Sequence, residues 1–211
     1  MKLYFVRHGE SEANVLKVIS NRGLVHPLTE LGRQQAAQLA QSLMSIPITR
    51  IYSSPLLRAR QTAEIVAAAL SLPVEITDVL REPDCGMAEG RSDEAAWAEH
   101  RQAWIAWLEE QRYDYRIEGG ESFNDLRARF VPFIDRLLAE HGDTSDQLLL
   151  ISHGALLITM LSVMLANAEA VFAEWRPIPN TGTIVVERQA AGWVCVAWCG
   201  IAFQNPAGNR V

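Results

Sequence analysis

The stretch Leu3-Tyr4-Phe5-Val6-Arg7-His8-Gly9-Glu10-Ser11 decides how the rest of the chain is read. An apolar, β-prone run stops abruptly at Arg, His and Gly. It predicts a buried strand, Lys2 to Val6, that delivers charged groups to the C-terminal edge of a sheet, where open α/β sheets keep their ligand sites. A second run, Gln147-Leu148-Leu149-Leu150-Ile151, ends the same way, in Ser152-His153-Gly154. Between them, Ile48 to Ser53 is followed by Ser54-Pro55 and then Arg58, and Pro73 to Ile76 leads into Leu80-Arg81-Glu82. In a mostly parallel sheet these four ends share one edge. Two imidazoles, several guanidiniums and a carboxylate then share one cleft.

The segments between the strands carry helical patterns. Thr29 is placed to cap a helix whose stripe is Leu31, Ala36, Leu39, Ala40 and Leu43. Ala59, Thr62, Ala63, Val66 and Leu70 form a second stripe, with Pro55 suited to a first turn. A helix is predicted over 92–110, with Trp97, Trp104, Ile105 and Leu108 near one side. Another follows Ser122, with the stripe Phe123, Leu126, Phe130, Phe133 and Leu137; Pro132 inside it predicts a kink or a boundary. Ala155 to Ala166 reads as a buried helix, and Thr181 to Arg188 with Trp193 to Trp198 as a hairpin turning at Ala190-Ala191-Gly192. The expected architecture is α/β: a three-layer αβα sandwich with a mostly parallel central sheet and helices on both faces. One domain is expected over 1–203, with 80–120 as a cap or insertion and 204–211 as a frayed tail.

Composition narrows the function. Of 211 residues, 49% are hydrophobic and 21% charged, enough apolar material for a sizeable core. The formal net charge is -6, which disfavours nucleic acid and anionic membranes as partners, so a positive pocket for a small anion must be built locally from arginines. The longest apolar segment, Ala155 to Ala166, is too short to span a bilayer. The three cysteines, Cys85, Cys195 and Cys199, form no metal-site or redox pattern, which fits a reducing, cytoplasmic setting. Met1 runs straight into the first strand, leaving no room for a signal peptide.

The converging groups suit phosphoryl transfer from a monoester. Guanidiniums bind phosphate oxygens through paired, charge-assisted hydrogen bonds. A neutral imidazole can attack phosphorus, and a carboxylic acid can protonate the leaving oxygen and then, as its conjugate base, activate water. No metal or other cofactor is required, because arginines carry the electrostatic load. No compact His/Asp cluster accompanies His8 and His153, which disfavours a zinc site.

The opening motif, with Asn14 beyond it, resembles that of the histidine phosphatase superfamily, the phosphoglycerate mutase-like enzymes. In the family's order follow Pro27-Leu28-Thr29-x-x-Gly32-x-Gln34-Gln35-Ala36, then Ser53-Ser54-Pro55-x-x-Arg58-Ala59-x-Gln61-Thr62-Ala63, then Arg81-Glu82, Gly119-Gly120-Glu121-Ser122, Ser152-His153-Gly154 and Asn180-Thr181-Gly182. One Arg-His-Gly is weak evidence; the ordered set is strong. The resemblance implies that His8 is phosphorylated, that Arg7 and Arg58 bind the phosphoryl oxygens, and that His153 donates to them. It makes Glu82 the proton donor, with Asp84, Glu89 and Glu121 as competitors for that role. It makes Asn14 a pocket donor, and sets Glu121 and Asn180 near the rim among the substrate-binding groups, as residues that orient the groups touching the phosphate.

The chain departs from the mutases of that family. Pro83-Asp84-Cys85 follows Glu82 in place of Arg-His-Tyr, Ala88 stands where many members have Trp, and the loop after Asn14 is less basic. These differences favour a phosphatase acting on a small phosphorylated metabolite. The alternatives are a cofactor-dependent phosphoglycerate mutase and a phosphoprotein-directed phosphatase or binding module. Specificity is expected from Val15 to His26 and from Glu82 to Tyr115, with Trp97, Met87 and Tyr113 lining an apolar pocket. His26, His100 and His141 are expected to face solvent. The chain is compatible with a homodimer.

Overall fold

A computed structural model describes residues 1–173 and 177–203. Seven strands form one sheet in the order β3-β2-β4-β1-β5-β6-β7: β1 (Lys2–Arg7), β2 (Ile48–Ser53), β3 (Val74–Ile76), β4 (Gln147–Ser152), β5 (Thr183–Gln189), β6 (Gly192–Trp198) and β7 (Ile201–Ala202). β3, β2, β4 and β1 run parallel. The sheet is mixed, because β5 to β7 add on antiparallel. The expected hairpin is β5 and β6. The tail expected from 204 lies outside the described residues.

β1 and β4 are buried on both faces, and their alternating side chains feed two cores. Leu3, Phe5, Leu148 and Leu150 join one core, packed by α4 (Glu94–Leu108), α5 (Phe123–His141) and α6 (Gly154–Met164). Tyr4, Val6, Leu149 and Ile151 join the other, under α2 (Glu30–Leu43) and α3 (Leu57–Leu70). This is the three-layer sandwich expected from sequence. Two five-residue helices complete it, α1 (Glu12–Leu16) and α7 (Ala168–Phe172).

Several local expectations change. Leu31 is exposed, because Gly32 takes the contact: a Cβ there would lie 1.9 Å from the Glu10 carbonyl oxygen, so only glycine lets α2 approach the loop after β1. α5 runs uninterrupted through Pro132; buried Phe130, Phe133, Ile134 and Leu137 anchor the turns on either side of the missing N–H. α3 starts at Leu57, with Pro55 just ahead of its N-cap. α4 buries Ala96, Ala103, Ala106 and Trp107, while Ile105 is exposed. His141 is buried, and its Nδ1 meets Asp146 at 2.8 Å.

Candidate active site

The parallel strands end along one edge, and their loops are tied to one another there. The His8 amide donates to the Ser152 carbonyl at 3.0 Å, the Arg7 amide to Gly182 at 3.2 Å, and the Thr181 amide back to Arg7 at 2.9 Å. β1 is thus pinned on both sides where its charged residues emerge. A cavity of about 300 Å³ opens over this edge, lined in part by Arg7, His8, Asn14, Ser20, Asn21, Arg58 and Glu82.

His8 is buried. Its Nδ1 lies 2.6 Å from its neighbour's carbonyl, that of Gly9, which can only accept, so Nδ1 carries the proton. Nε2 is left with a lone pair, which accepts from the Nε–H of Arg58 at 3.0 Å. Burial first, then the guanidiniums of Arg58 and Arg7, hold the imidazole well below its usual range of protonation. The ring is neutral and its free nitrogen faces a cation.

Arg58 is equally constrained. It donates to the Ser20 carbonyl at 2.7 Å and to Asn21 Oδ1 at 3.4 Å. Burial lowers its pKa to about 10, still well above neutrality. Arg7 donates to the Ile178 carbonyl at 2.7 Å, and its side chain passes over Gly154, where a Cβ would stand 3.6 Å from it.

Glu82 accepts from the amides of Ala155 at 3.0 Å and Leu156 at 2.9 Å, in the first turn of α6. These bonds and the helix dipole favour its ionised form, as do Arg58 and Arg7. Desolvation is the larger effect and raises the carboxyl above its ordinary range. None of the competing carboxylates lines the cavity. Glu89 accepts from the amides of Asn21 and Cys85 at 2.8 and 3.1 Å, and Asp84 binds Arg22 at 2.7 Å.

Glu121, expected at the substrate, is instead turned away. The Gly119-Gly120 turn packs so closely on the loop after Glu82 that a Cβ on Gly120 would lie 2.6 Å from the Asp84 carbonyl oxygen. From there the Glu121 carboxylate meets Arg129 at 2.9 Å and accepts from the Asp84 amide at 2.9 Å. Arg129 also donates to the carbonyls of Val79 and Arg81. Ser152 Oγ donates to the Leu80 carbonyl at 2.8 Å. Glu82 is therefore braced on both sides.

His153 lies behind His8, with ring centroids 5.0 Å apart and planes at 60°. Its Nε2 meets Ser54 Oγ at 2.8 Å, while its buried Nδ1 has no protein partner among the described residues. Burial and Arg58 hold this ring well below its usual range too. Asn14 sits in the cavity wall with its Oδ1 occupied by the Ser11 amide at 3.1 Å. Asn180 Nδ2 donates to the His8 carbonyl at 3.0 Å and to Asn14 Oδ1 at 3.4 Å.

Sequence reasoning missed Ser20, Asn21 and Ser54, short polar residues in loops whose role depends on where Arg58 and His153 point. It placed His100 in solvent, but His100 lines the cavity with Trp97 and Trp104 on α4. Of the expected apolar lining only Trp97 is there: Met87 is exposed elsewhere, and Tyr113 lines a separate recess.

The model of the histidine phosphatase superfamily (branch 1) matches residues 3–200. A probable phosphoglycerate mutase GpmB of Proteus mirabilis (strain HI4320) is 37% identical over 201 residues, 94% of this chain and 90% of its own. Among solved structures, a mycobacterial glucosyl-3-phosphoglycerate phosphatase in complex with VO3 is 27% identical with a TM-score of 0.80, covering 95% of this chain and 99% of that one. The α-ribazole phosphatase of Shigella flexneri is 25% identical with a TM-score of 0.75, covering 97% and 100%. Arg7, His8, Arg58 and Glu82 meet in one cavity with His153 behind them, on a chain that matches this family from its first strand to its last hairpin: it belongs to the histidine phosphatase superfamily, branch 1, and is a phosphatase of that class.

Proposed function

We propose that the chain hydrolyses a small phosphomonoester through a phosphohistidine on His8. The observation that carries this reading is the unprotonated Nε2 of His8, held 3.0 Å from Arg58 Nε in a cavity that also contains Arg7 and Glu82. Arg7 and Arg58 bind the phosphoryl oxygens, and the incoming dianion takes over the Arg58 Nε–H. Nε2 attacks phosphorus as the ester P–O bond breaks, and Glu82 gives its proton to the leaving oxygen. The phosphoryl dianion raises the Glu82 carboxyl further, which keeps it protonated until that transfer. The resulting carboxylate takes a proton from water, the hydroxide attacks phosphorus, the P–N bond breaks, and inorganic phosphate leaves.

The spare nitrogen of His153 supports its role as a phosphoryl donor. Ser54 Oγ already accepts from the Leu56 amide at 3.3 Å. With the Ser54 O–H donating to His153 Nε2, the ring proton lies on Nδ1, ready for a phosphoryl oxygen. Asn14 donates through Nδ2, and Asn180 holds the His8 carbonyl and Asn14 in register. Glu121 acts as a positioning residue for Glu82.

The test is turnover of an aryl phosphate by the pure protein in a chelator, with acid-labile phosphate trapped on the chain. Turnover that disappears in His8→Asn is expected; no turnover, or a variant equal to the parent, overturns the reading. The name of the Proteus relative favours a second reading, phosphoglycerate mutase. Interconversion of 3- and 2-phosphoglycerate faster than phosphate release would establish it. The names of the structural relatives, and Pro83-Asp84-Cys85 after the acid, favour hydrolysis.

A further inference from the structure

The wall facing the phosphate-binding groups is aromatic. Trp97, His100 and Trp104 recur at helical spacing along α4, with ring centroids 5.3 Å apart for the first pair and 6.2 Å for the second. Trp97 is fixed by its indole N–H, which donates to the Lys17 carbonyl at 2.9 Å. Burial, with Arg101 alongside, lowers the His100 pKa, so this ring adds no positive charge near neutrality.

A second recess shares this wall. Trp104 and Ile158 also line this recess, of about 610 Å³, further along α4 and α6. Its lining is largely apolar, Phe123, Val163 and Phe172 included, and its two charged lining residues among those described are Glu109 and Glu169. Beyond Arg7 and Arg58, the described lining of the two cavities holds no lysine or arginine. Among the described lining residues, a second anionic group on the substrate would meet carboxylates and no further cation. An uncharged apolar body would find aromatic faces and displace water from them.

We propose that the recess is a subsite for the leaving group, and that the preferred substrate is the phosphomonoester of an uncharged alcohol with an extended apolar or aromatic body. The phosphate sits at Arg7 and Arg58, and the organic part passes Trp97 and Trp104 into the recess. This rests on the phosphatase reading and names the substrate class for it.

The experiment compares ethyl, hexyl and 4-phenylbutyl phosphate, whose alcohols have similar acidity, with 3-phosphoglycerate. kcat/KM is expected to rise at least about tenfold from ethyl to 4-phenylbutyl phosphate, because each buried methylene favours binding several-fold. 3-Phosphoglycerate is expected below 4-phenylbutyl phosphate. In Ala168→Trp, which narrows the recess, the ratio of 4-phenylbutyl to ethyl phosphate should collapse toward one. A flat series, a preference for 3-phosphoglycerate, or an unchanged ratio in Ala168→Trp overturns the proposal. Binding is read separately by tryptophan fluorescence, using the non-hydrolysable ethyl- and 4-phenylbutylphosphonates. If no ester is turned over but the larger phosphonate binds at least about tenfold tighter, the phosphatase reading fails and the subsite stands. Turnover with equal binding of the two phosphonates sinks the subsite alone.

Discussion

The two walls of the catalytic cavity are built on opposite plans. On the sheet side each charged group comes from a different segment and is held by backbone. Arg7 is tied to Ile178, Arg58 to Ser20, and Glu82 to the first turn of α6. On the opposite side one helix, α4, supplies all three aromatic rings, and Trp97 is fixed by one bond to the Lys17 carbonyl. Charged groups in a low-dielectric site need fixed partners, because each lost hydrogen bond leaves a buried charge exposed to its full desolvation cost. Apolar rings need only shape and area. On this reading the sheet edge sets the chemistry, and side chains on the helix should be replaceable without disturbing it.

Breaking the first wall should cost far more than altering the second. His8→Asn removes the proposed nucleophile, and kcat should fall by at least about 10⁴-fold, measured in single-turnover assays with trapping of phosphoprotein. Glu82→Gln should lower kcat by about 10²- to 10⁴-fold, most for alkyl esters whose leaving oxygen needs a proton. The pH profile carries the same assignment. His8 is depressed, so acid inactivates the nucleophile only below the ordinary imidazole range; Glu82 is raised, so its proton survives above the ordinary carboxyl range. kcat/KM should rise with pH through the first ionisation and fall through the second. With an aryl phosphate, Glu82→Gln should lose the alkaline limb and keep the acid one.

Arg58→Lys keeps the charge but loses the Nε–H contact and the paired geometry. A loss of about 10²-fold is expected, together with an acid limb moved toward the ordinary histidine value as the cation recedes from Nε2. An unmoved limb would separate Arg58 from the tuning of His8. The smallest effect belongs to the second wall. Trp97→Ala should leave kcat for ethyl phosphate within a few-fold and raise KM for 4-phenylbutyl phosphate by about tenfold, on the order of one buried aromatic contact. Equal losses for both esters would mean that α4 serves the chemistry as well.

Much of the sheet side was legible in the chain. β1 and β4 are short apolar runs ended by Arg-His-Gly and Ser-His-Gly, and parallel pairing carries both endings to one edge. The helical stripe of α5 was equally plain, and the helix does not stop at Pro132, because tertiary packing outweighs one missing backbone bond. The direction of Glu121 was not legible, for a different reason. A carboxylate beside a motif glycine pair says nothing about which way the turn faces, and Arg129, eight residues on, claims it. Of the aromatic wall only Trp97 was expected at the pocket, because tryptophan at helical spacing looks the same whether it faces a core or a cavity.

The sequence by itself determined the fold class, the family and the residue types at the reacting centre, since periodicity and strand-end motifs are local properties. Only the tertiary structure decided which nitrogen of His8 is free, which of four carboxylates enters the cavity, and that Ser54 and Asn21 belong to the site. Those are matters of direction and burial, and they depend on contacts between residues dozens of positions apart, Arg58 against His8 and Glu82 against the first turn of α6. The opening Arg7-His8-Gly9 points to phosphoryl transfer; the charge state that suits His8 to the proposed attack comes from what folds around it.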